Sequence, residues 1–371
     1  MPQFPLPLVR AALRPMYRLV LSPRLSYPMQ RRLLGLAAPI QTLPKGTVVR
    51  KITLAGRPAE RITVGATERR TAVLYLHGGA FTTCSPATHR SLAAHLAAAT
   101  ASAVYVLDYR LAPEHPYPAA LDDAVAAYLE LVTEHGVDAA STPIAGDSAG
   151  GGLAVAAALR LADRHGVTPA ALGLLSPWVD PGSRAVPFDR DTVLSTGWLF
   201  PSAEAYLGDG DPADPGYAPM HADLRPLPPT LIHVGTTEVF YPQVTEFARR
   251  LRAAGVDVQV TEQPRLWHVA HLQASLVREA ADAIVDLGEF LRSHMLAEPR
   301  VRDGEVCGGE FSGDHTQRIE LTFPEHVPPE QRDDVLGREH RWLRVLGGRV
   351  LTGRAVRGVG QCDEAGIDER G

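Results

Sequence analysis

The sequence predicts a protein of the α/β class, with a mostly parallel central sheet flanked by helices. Three observations carry that expectation. Four short runs, AVLYL (72–76), AVYVL (103–107), LGLLS (172–176) and LIHV (231–234), are apolar along almost their whole length, as strands buried on both faces of a parallel sheet are. Helix-like segments lie among them, at about 89–99, 119–134 and 149–165, and alternation of this kind argues for helices on both sides of the sheet. Two glycine-rich segments also follow directly on strands, which is where ligands bind in such sheets.

In chain order, residues 1–42 read as an N-terminal helical cap, a lid packed over an apolar cleft. Residues 1–59 carry ten Lys or Arg and no acid before Glu60. Arg10, Arg14 and Arg18 recur every four residues, so one face of a helix there is expected to be basic; contact with an anionic membrane surface is the alternative to the lid. Residues 43–297 form the main domain. It includes short strands at about 142–145 and 258–262 and ends in a long helix at about 273–296. Within it, 180–228 is rich in Pro, Gly and Asp and reads as a cap excursion with little regular structure. From 298 to 371 the composition shifts to Gly, Arg, Asp and Glu, which marks a C-terminal extension, flexible or a small appendage. Its run 319–346 reads as one strand, a Pro-rich turn and one helix. No internal repeat is visible.

Composition narrows the function. With 371 residues and 45% hydrophobic content, the chain can bury a sizeable core. A net charge of −5 gives no reason to expect nucleic acid as a partner. Cys84, Cys307 and Cys362 are far apart and match no metal-ligand or redox spacing, and so sparse a count suits a reducing compartment, the cytoplasm. Arg10, Arg14, Arg18 and Arg24 interrupt every apolar run near the start, so neither a membrane span nor a signal peptide is expected.

The strongest motif is IAGDSAGGGLA (144–154), whose Gly146-Asp147-Ser148-Ala149-Gly150 matches G-x-S-x-G between a short strand and an alanine-rich helix. A strand-to-helix turn this sharp forces the serine into strained backbone geometry, and side chains at Gly146 or Gly150 would strike neighbouring backbone. Ser148 then projects its hydroxyl above the sheet as a candidate nucleophile. The second motif, LHGGAF (76–81), follows the strand AVLYL. Its consecutive glycines can aim backbone N–H groups at one point, as a developing oxyanion requires. Gly78, Gly79 and the amide of Ala149 are the expected donors.

DYRLAPEHPYPAALDD (108–123) lies between these motifs. With HGGAF and GDSAGGGLA it resembles the hormone-sensitive-lipase-like branch of the α/β hydrolases, the bacterial esterases of the HGGG type, over about 43–296. The resemblance implies an α/β-hydrolase fold with the N-terminal segment in the cap, and Asp108 and Arg110 are expected to fix their loop by charge-assisted hydrogen bonds.

A serine hydroxyl needs a base, and in chain order the fold places the acid after the serine and the histidine last. His268 in QPRLWHVAH fits the base; His271 is better explained as structural. The acid belongs in the loop after LIHV, where GTTEVF has no aspartate. Alignment with the G-x-D-E-V-L pattern of relatives puts Thr237 on the aspartate and Glu238 beside it. Threonine cannot carry the charge that stabilises an imidazolium, whereas glutamate can. Glu246 falls on the next helix and Asp257 at the foot of a strand, so Glu238 is the candidate acid, with a Ser–His dyad as the alternative. The resulting expectation is a serine carboxylesterase forming an acyl-enzyme on short-to-medium acyl esters, with acetyl esters or lactones as candidates because LLSPWVDPGS and LPPTLIHVG are similar to acetylhydrolases and monoterpene lactone hydrolases. No cofactor or metal is needed. Phe81, Trp178, Trp198 and Trp267 are candidate substrate-binding residues, and a homodimer stays open. The alternative function is a hydrolase-fold ligand-binding protein with little or no turnover.

Overall fold

The computed structural model describes residues 3–65, 71–185 and 191–295, and the backbone of two strands at 340–346 and 349–355. Contacts divide the chain into two units, 1–302 and 303–371. Phe188, Cys307, Cys362 and the predicted strand at 319–323 lie outside the described residues.

The first unit begins with α1 (Leu6–Val20) and α2 (Tyr27–Ala37), the latter running into a 3-10 turn at Ala38–Ile40. β1 (Thr47–Leu54) and β2 (Arg57–Val64) form a hairpin that periodicity did not single out. Its register pairs Leu54 with Arg57, so Ala55 and Gly56 make the turn, both at positive φ (49° and 73°), the geometry that matches the twist of two-residue hairpins. Then come β3 (Ala72–Leu76), α3 (Pro86–Thr100), β4 (Ala103–Leu107), α4 (Ala119–Thr133), β5 (Ile144–Asp147) and α5 (Ala149–His165). β6 (Leu172–Leu175), α6 (Thr196–Leu207), β7 (Thr230–Val234), α7 (Tyr241–Ala253), β8 (Val258–Glu262) and α8 (Arg278–Met295) complete the unit.

Among the described residues, eight strands make one sheet in the order β1-β2-β4-β3-β5-β6-β7-β8. β1–β2 and β2–β4 pair antiparallel and every other neighbour pairs parallel, so the sheet is mostly parallel with an antiparallel edge. All residues of β3, β4, β5, β6 and β7 are buried, the condition under which strands read as continuous apolar runs rather than alternating ones. The apolar runs of the sequence therefore sit where they were expected.

Three expectations are corrected. The excursion 180–228 holds a regular twelve-residue helix, α6, which buries Trp198, Leu199, Ala203 and Tyr206. Buried Gln30 of α2 accepts from Trp198 Nε1 at 2.8 Å, tying α6 to the N-terminal segment. The expected basic face of α1 is partly covered, since of Arg10, Arg14 and Arg18, Arg14 alone is exposed. α1 buries Leu6, Val9 and Val20, Arg18 bonds the Asp191 carbonyl at 2.8 Å, and Arg10 lies over the Trp267 ring, leaving Leu8 and Leu19 exposed. In the second unit, the segment expected as a helix is a hairpin, β9 (His340–Leu346) with β10 (Arg349–Ala355). Leu346 pairs with Arg349 across the dipeptide Gly347-Gly348, a hairpin signal that outweighs the apolar spacing of WLRVL.

Candidate active site

Ser148 stands between β5 and α5 with φ 51° and ψ −121°, a backbone state that non-glycine residues rarely adopt. The surrounding structure over-determines it. The Ser148 amide donates to the Leu175 carbonyl at 2.8 Å, and its carbonyl accepts from Trp178 N–H at 2.8 Å. A Cβ on Gly150 would press into the backbone carbonyls of Leu76 and His77, so the turn closes only with glycine there. The hydroxyl is thus held at the carboxyl end of the sheet, above the N-terminus of α5.

The loop after β8 brings His268 to the serine, with Nε2 3.0 Å from Ser148 Oγ. The loop after β7 brings Glu238 to the far side of the ring, with Oε2 2.6 Å from His268 Nδ1. Glu238 is buried and its second oxygen is also occupied: Oε1 accepts from Ser176 Oγ at 2.9 Å and from the Gly235 amide. Burial favours the neutral form of His268, yet the hydrogen bond and charge of Glu238, with Asp191 and Asp147 adding, outweigh it and raise its pKa above the ordinary 6.5. His271, by contrast, is driven well below 6.5 by burial and by neighbouring His233, which suits a structural residue. Asp191, on the way into α6, accepts from the Val193 and Leu194 amides with one oxygen and from Val239 N–H at 3.1 Å with the other, bracing the Glu238 loop.

The oxyanion loop differs from expectation at one residue. The amide of Gly78 donates to Asp147 Oδ1 at 3.0 Å and is therefore not available to a ligand. Among the described residues, the amides of Gly79, Ala80 and Ala149 have no acceptor, and Gly79 and Ala80 line the cavity beside Ser148. The free set is Gly79, Ala80 and Ala149, shifted one residue along the motif. The shift arises because Asp147, the variable position of G-x-S-x-G, turns back under the loop. Its carboxylate also accepts from Tyr75 Oη at 2.8 Å and sits 3.2 Å from His89 Nε2. Burial opposes its charge, but His89, Tyr75 and His77 prevail and hold its pKa below the usual carboxylate value. At Gly79 a Cβ would drive into the Thr83 carbonyl, and φ there is +116°.

A cavity of about 60 Å³ opens over Ser148 and His268. The cap supplies Tyr17 and Leu21 from the α1 segment and Leu34 from α2, and the far wall holds Val193, Leu194 and Leu272. Of the four expected substrate-binding aromatics, Trp198 lines it and the others do not. Phe81 stacks on Tyr206 with ring centroids 3.6 Å apart, Trp178 stacks on Phe240 at 5.4 Å, and Trp267 is buried beneath Arg10. All three rings are buried in the core instead. Aliphatic lining residues drawn from five distant segments carry no local signal that could have identified them. Asp108 is also corrected: the partner of Arg110 is Asp123, at 2.7 Å, while the Asp108 backbone carbonyl accepts from Arg57. Among the described residues, no cluster of His, Cys, Asp or Glu could hold a metal ion, and no helix is long and apolar enough to cross a membrane.

Comparison with known proteins gives one consistent picture. Residues 73–272 match the family model described as alpha/beta hydrolase fold. An acetyl-hydrolase of Streptomyces hygroscopicus is 40% identical over 255 residues, 68% of this chain and 84% of that one. An esterase of Acinetobacter venetianus is 34% identical over 291 residues, 77% of this chain and 94% of that one. Among solved structures, an esterase from the bacterial hormone-sensitive lipase family superposes with a TM-score of 0.73 at 34% identity, covering 80% of this chain and all of that one.

Proposed function

The chain belongs to the hormone-sensitive-lipase-like branch of the α/β hydrolases and is an ester-hydrolysing enzyme, and from that premise we propose that it cleaves small acyl esters through an acyl-enzyme on Ser148. The observation that carries the proposal is the unbroken line from Glu238 through His268 to Ser148, at 2.6 and 3.0 Å. Glu238 fixes Nδ1 as the protonated nitrogen, which leaves the Nε2 lone pair facing the serine hydroxyl. Ser148 Oγ attacks the ester carbonyl carbon while its proton passes to Nε2. The tetrahedral oxyanion falls to the amides of Gly79, Ala80 and Ala149, fixed donors that need no rearrangement as charge develops. Collapse of the intermediate breaks the bond to the alkoxide, which takes the proton from His268. Water then repeats the sequence and frees the acid and Ser148.

Cavity size supports a short acyl group. About 60 Å³ holds roughly five waters by the same measure. Space of that size suits an acetyl or propionyl group better than a long chain, which would meet Leu34 or Leu194. The acetyl-hydrolase relative points the same way. Residues 1–42 act as the lid, a reading supported by Tyr17, Leu21 and Leu34, which line the cavity.

A fluorophosphonate probe tests the nucleophile. The intact chain should label and Ser148→Ala should not, with p-nitrophenyl acetate turnover lost in parallel. A folded protein that neither labels nor turns over acetate or butyrate esters would instead be the ligand-binding alternative.

A further inference from the structure

Large apolar side chains are exposed on this molecule in an uneven way. Among the described residues, all but two of them fall in residues 4–40: Phe4, Leu8, Leu19, Met29, Leu36 and Ile40, with only Val48 and Val285 elsewhere. On α1, Leu8, Pro15 and Leu19 lie within about 40° of one another around the helix axis, so they form one stripe. Leu19 is 70% exposed and Ile40 73%. α2 and the turn after it continue the pattern at helical spacing, with Met29, Leu36 and Ile40 exposed around Arg32. An ordinary cap helix turns its apolar stripe inward. Here α1 has an inner one, Leu6, Val9 and Val20, and an outer one as well.

Charge says what the outer stripe fits. Arg14, Arg24 and Arg32 of the same segment are exposed, and the segment supplies no carboxylate to offset them before Glu60. A second copy of the chain would be a poor occupant. A two-fold interface sets the same patch against itself, so arginines would meet arginines with no acid of the segment between them. A partner that is apolar in its interior and anionic at its surface answers both features, and that is a phospholipid bilayer with anionic headgroups. We infer that the outer face of α1 and α2 is an interfacial docking surface for anionic membranes, with the leucines in the headgroup–acyl boundary and the arginines among the phosphates. The lid of the cavity and the docking face are then two sides of the same helices. This inference does not depend on which ester is cleaved.

Vesicle flotation of the full-length protein tests it. Vesicles of phosphatidylcholine mixed with phosphatidylglycerol should carry more protein than phosphatidylcholine alone, and added salt should reduce the difference. Leu8→Ser, Leu19→Ser and Leu36→Ser should each lower partition by about tenfold. Arg14→Gln should lower it about fivefold on anionic vesicles only. None of these side chains lines the cavity, so circular dichroism and turnover of dissolved p-nitrophenyl acetate should match the parent. Partition that ignores lipid charge, or that survives Leu8→Ser and Leu19→Ser unchanged, overturns the inference. So does a homodimer, seen by light scattering, that Leu8→Ser dissolves, because the face would then belong to a second copy.

Discussion

Glu238→Gln isolates the least conventional feature of the site while leaving its volume almost unchanged. In the structure both carboxylate oxygens are committed to donors: Oε2 to His268 Nδ1–H at 2.6 Å, and Oε1 to Ser176 Oγ at 2.9 Å and the Gly235 amide. A glutamine has one oxygen and one NH₂. If its oxygen faces His268, the NH₂ is pressed against the Gly235 N–H, donor on donor in a buried site. If its oxygen keeps Gly235 and Ser176, the NH₂ faces Nδ1 and the ring must present a lone pair there. The proton then moves to Nε2, which points it at Ser148 and leaves no base. The second arrangement satisfies more buried groups and is the expected one. The same exchange of acid for amide in a serine protease lowers turnover by about 10⁴, or about 5.4 kcal/mol of transition-state stabilisation. Turnover of p-nitrophenyl acetate should therefore fall by about that factor with KM little altered, in a protein whose circular dichroism matches the parent. Thr237→Ala in the same assay should lie within a few-fold of the parent. A folded Glu238→Gln protein that keeps near-parental turnover refutes the reasoning and leaves a Ser–His dyad or another acid.

Four further outcomes follow from the same geometry. Because His268 must be neutral to act and its pKa is raised in the folded state, the acid limb of kcat/KM should lie above pH 6.5, and Glu238→Gln should move it lower. The same shift means that His268 contributes stability below pH 6.5 and that this contribution fades as pH rises through its folded value, which thermal melts across that window can follow. Asp147→Asn should loosen the loop held through Gly78, lowering kcat by about 10- to 100-fold with a smaller effect on KM, because it weakens a charge-assisted bond worth about 1.5–3 kcal/mol; steady-state kinetics separate the two. Leu194→Ala should widen the cavity and raise the hexanoate-to-acetate ratio of kcat/KM at least about tenfold, whereas an unchanged ratio would place the acyl group elsewhere.

What could be read from the sequence tracks how local the physics is. Four of the five fully buried strands, β3, β4, β6 and β7, are legible as apolar runs because burial on both faces leaves few polar positions to interrupt them. The nucleophile turn is legible because its strain demands glycine at fixed offsets from Ser148. The hairpin of β1 and β2 escaped notice because its outer strand alternates between half-buried and exposed and contributes only Leu54 to the core. α6 escaped because turn-forming residues surround it on both sides, while the contacts that stabilise it, Trp198 to Gln30 above all, come from more than 160 residues away. The lining of the cavity was illegible for the same reason, since Tyr17, Leu34 and Leu194 meet only after folding.

Asp147 shows the limit most clearly. Sequence patterns leave its position within the nucleophile motif open to any residue, so nothing local assigns it work. In the fold its carboxylate takes the amide of Gly78, the hydroxyl of Tyr75 and the ring of His89, joining the nucleophile turn, β3, the oxyanion loop and α3. That one bond to Gly78 also decides which amides remain free, moving the free set to Gly79, Ala80 and Ala149. The side chain immediately before the nucleophile therefore sets the geometry of the group that would receive the oxyanion. Ser148 and these free amides are thus held from two directions: through the backbone strain of the turn, and through the Asp147 carboxylate beneath it.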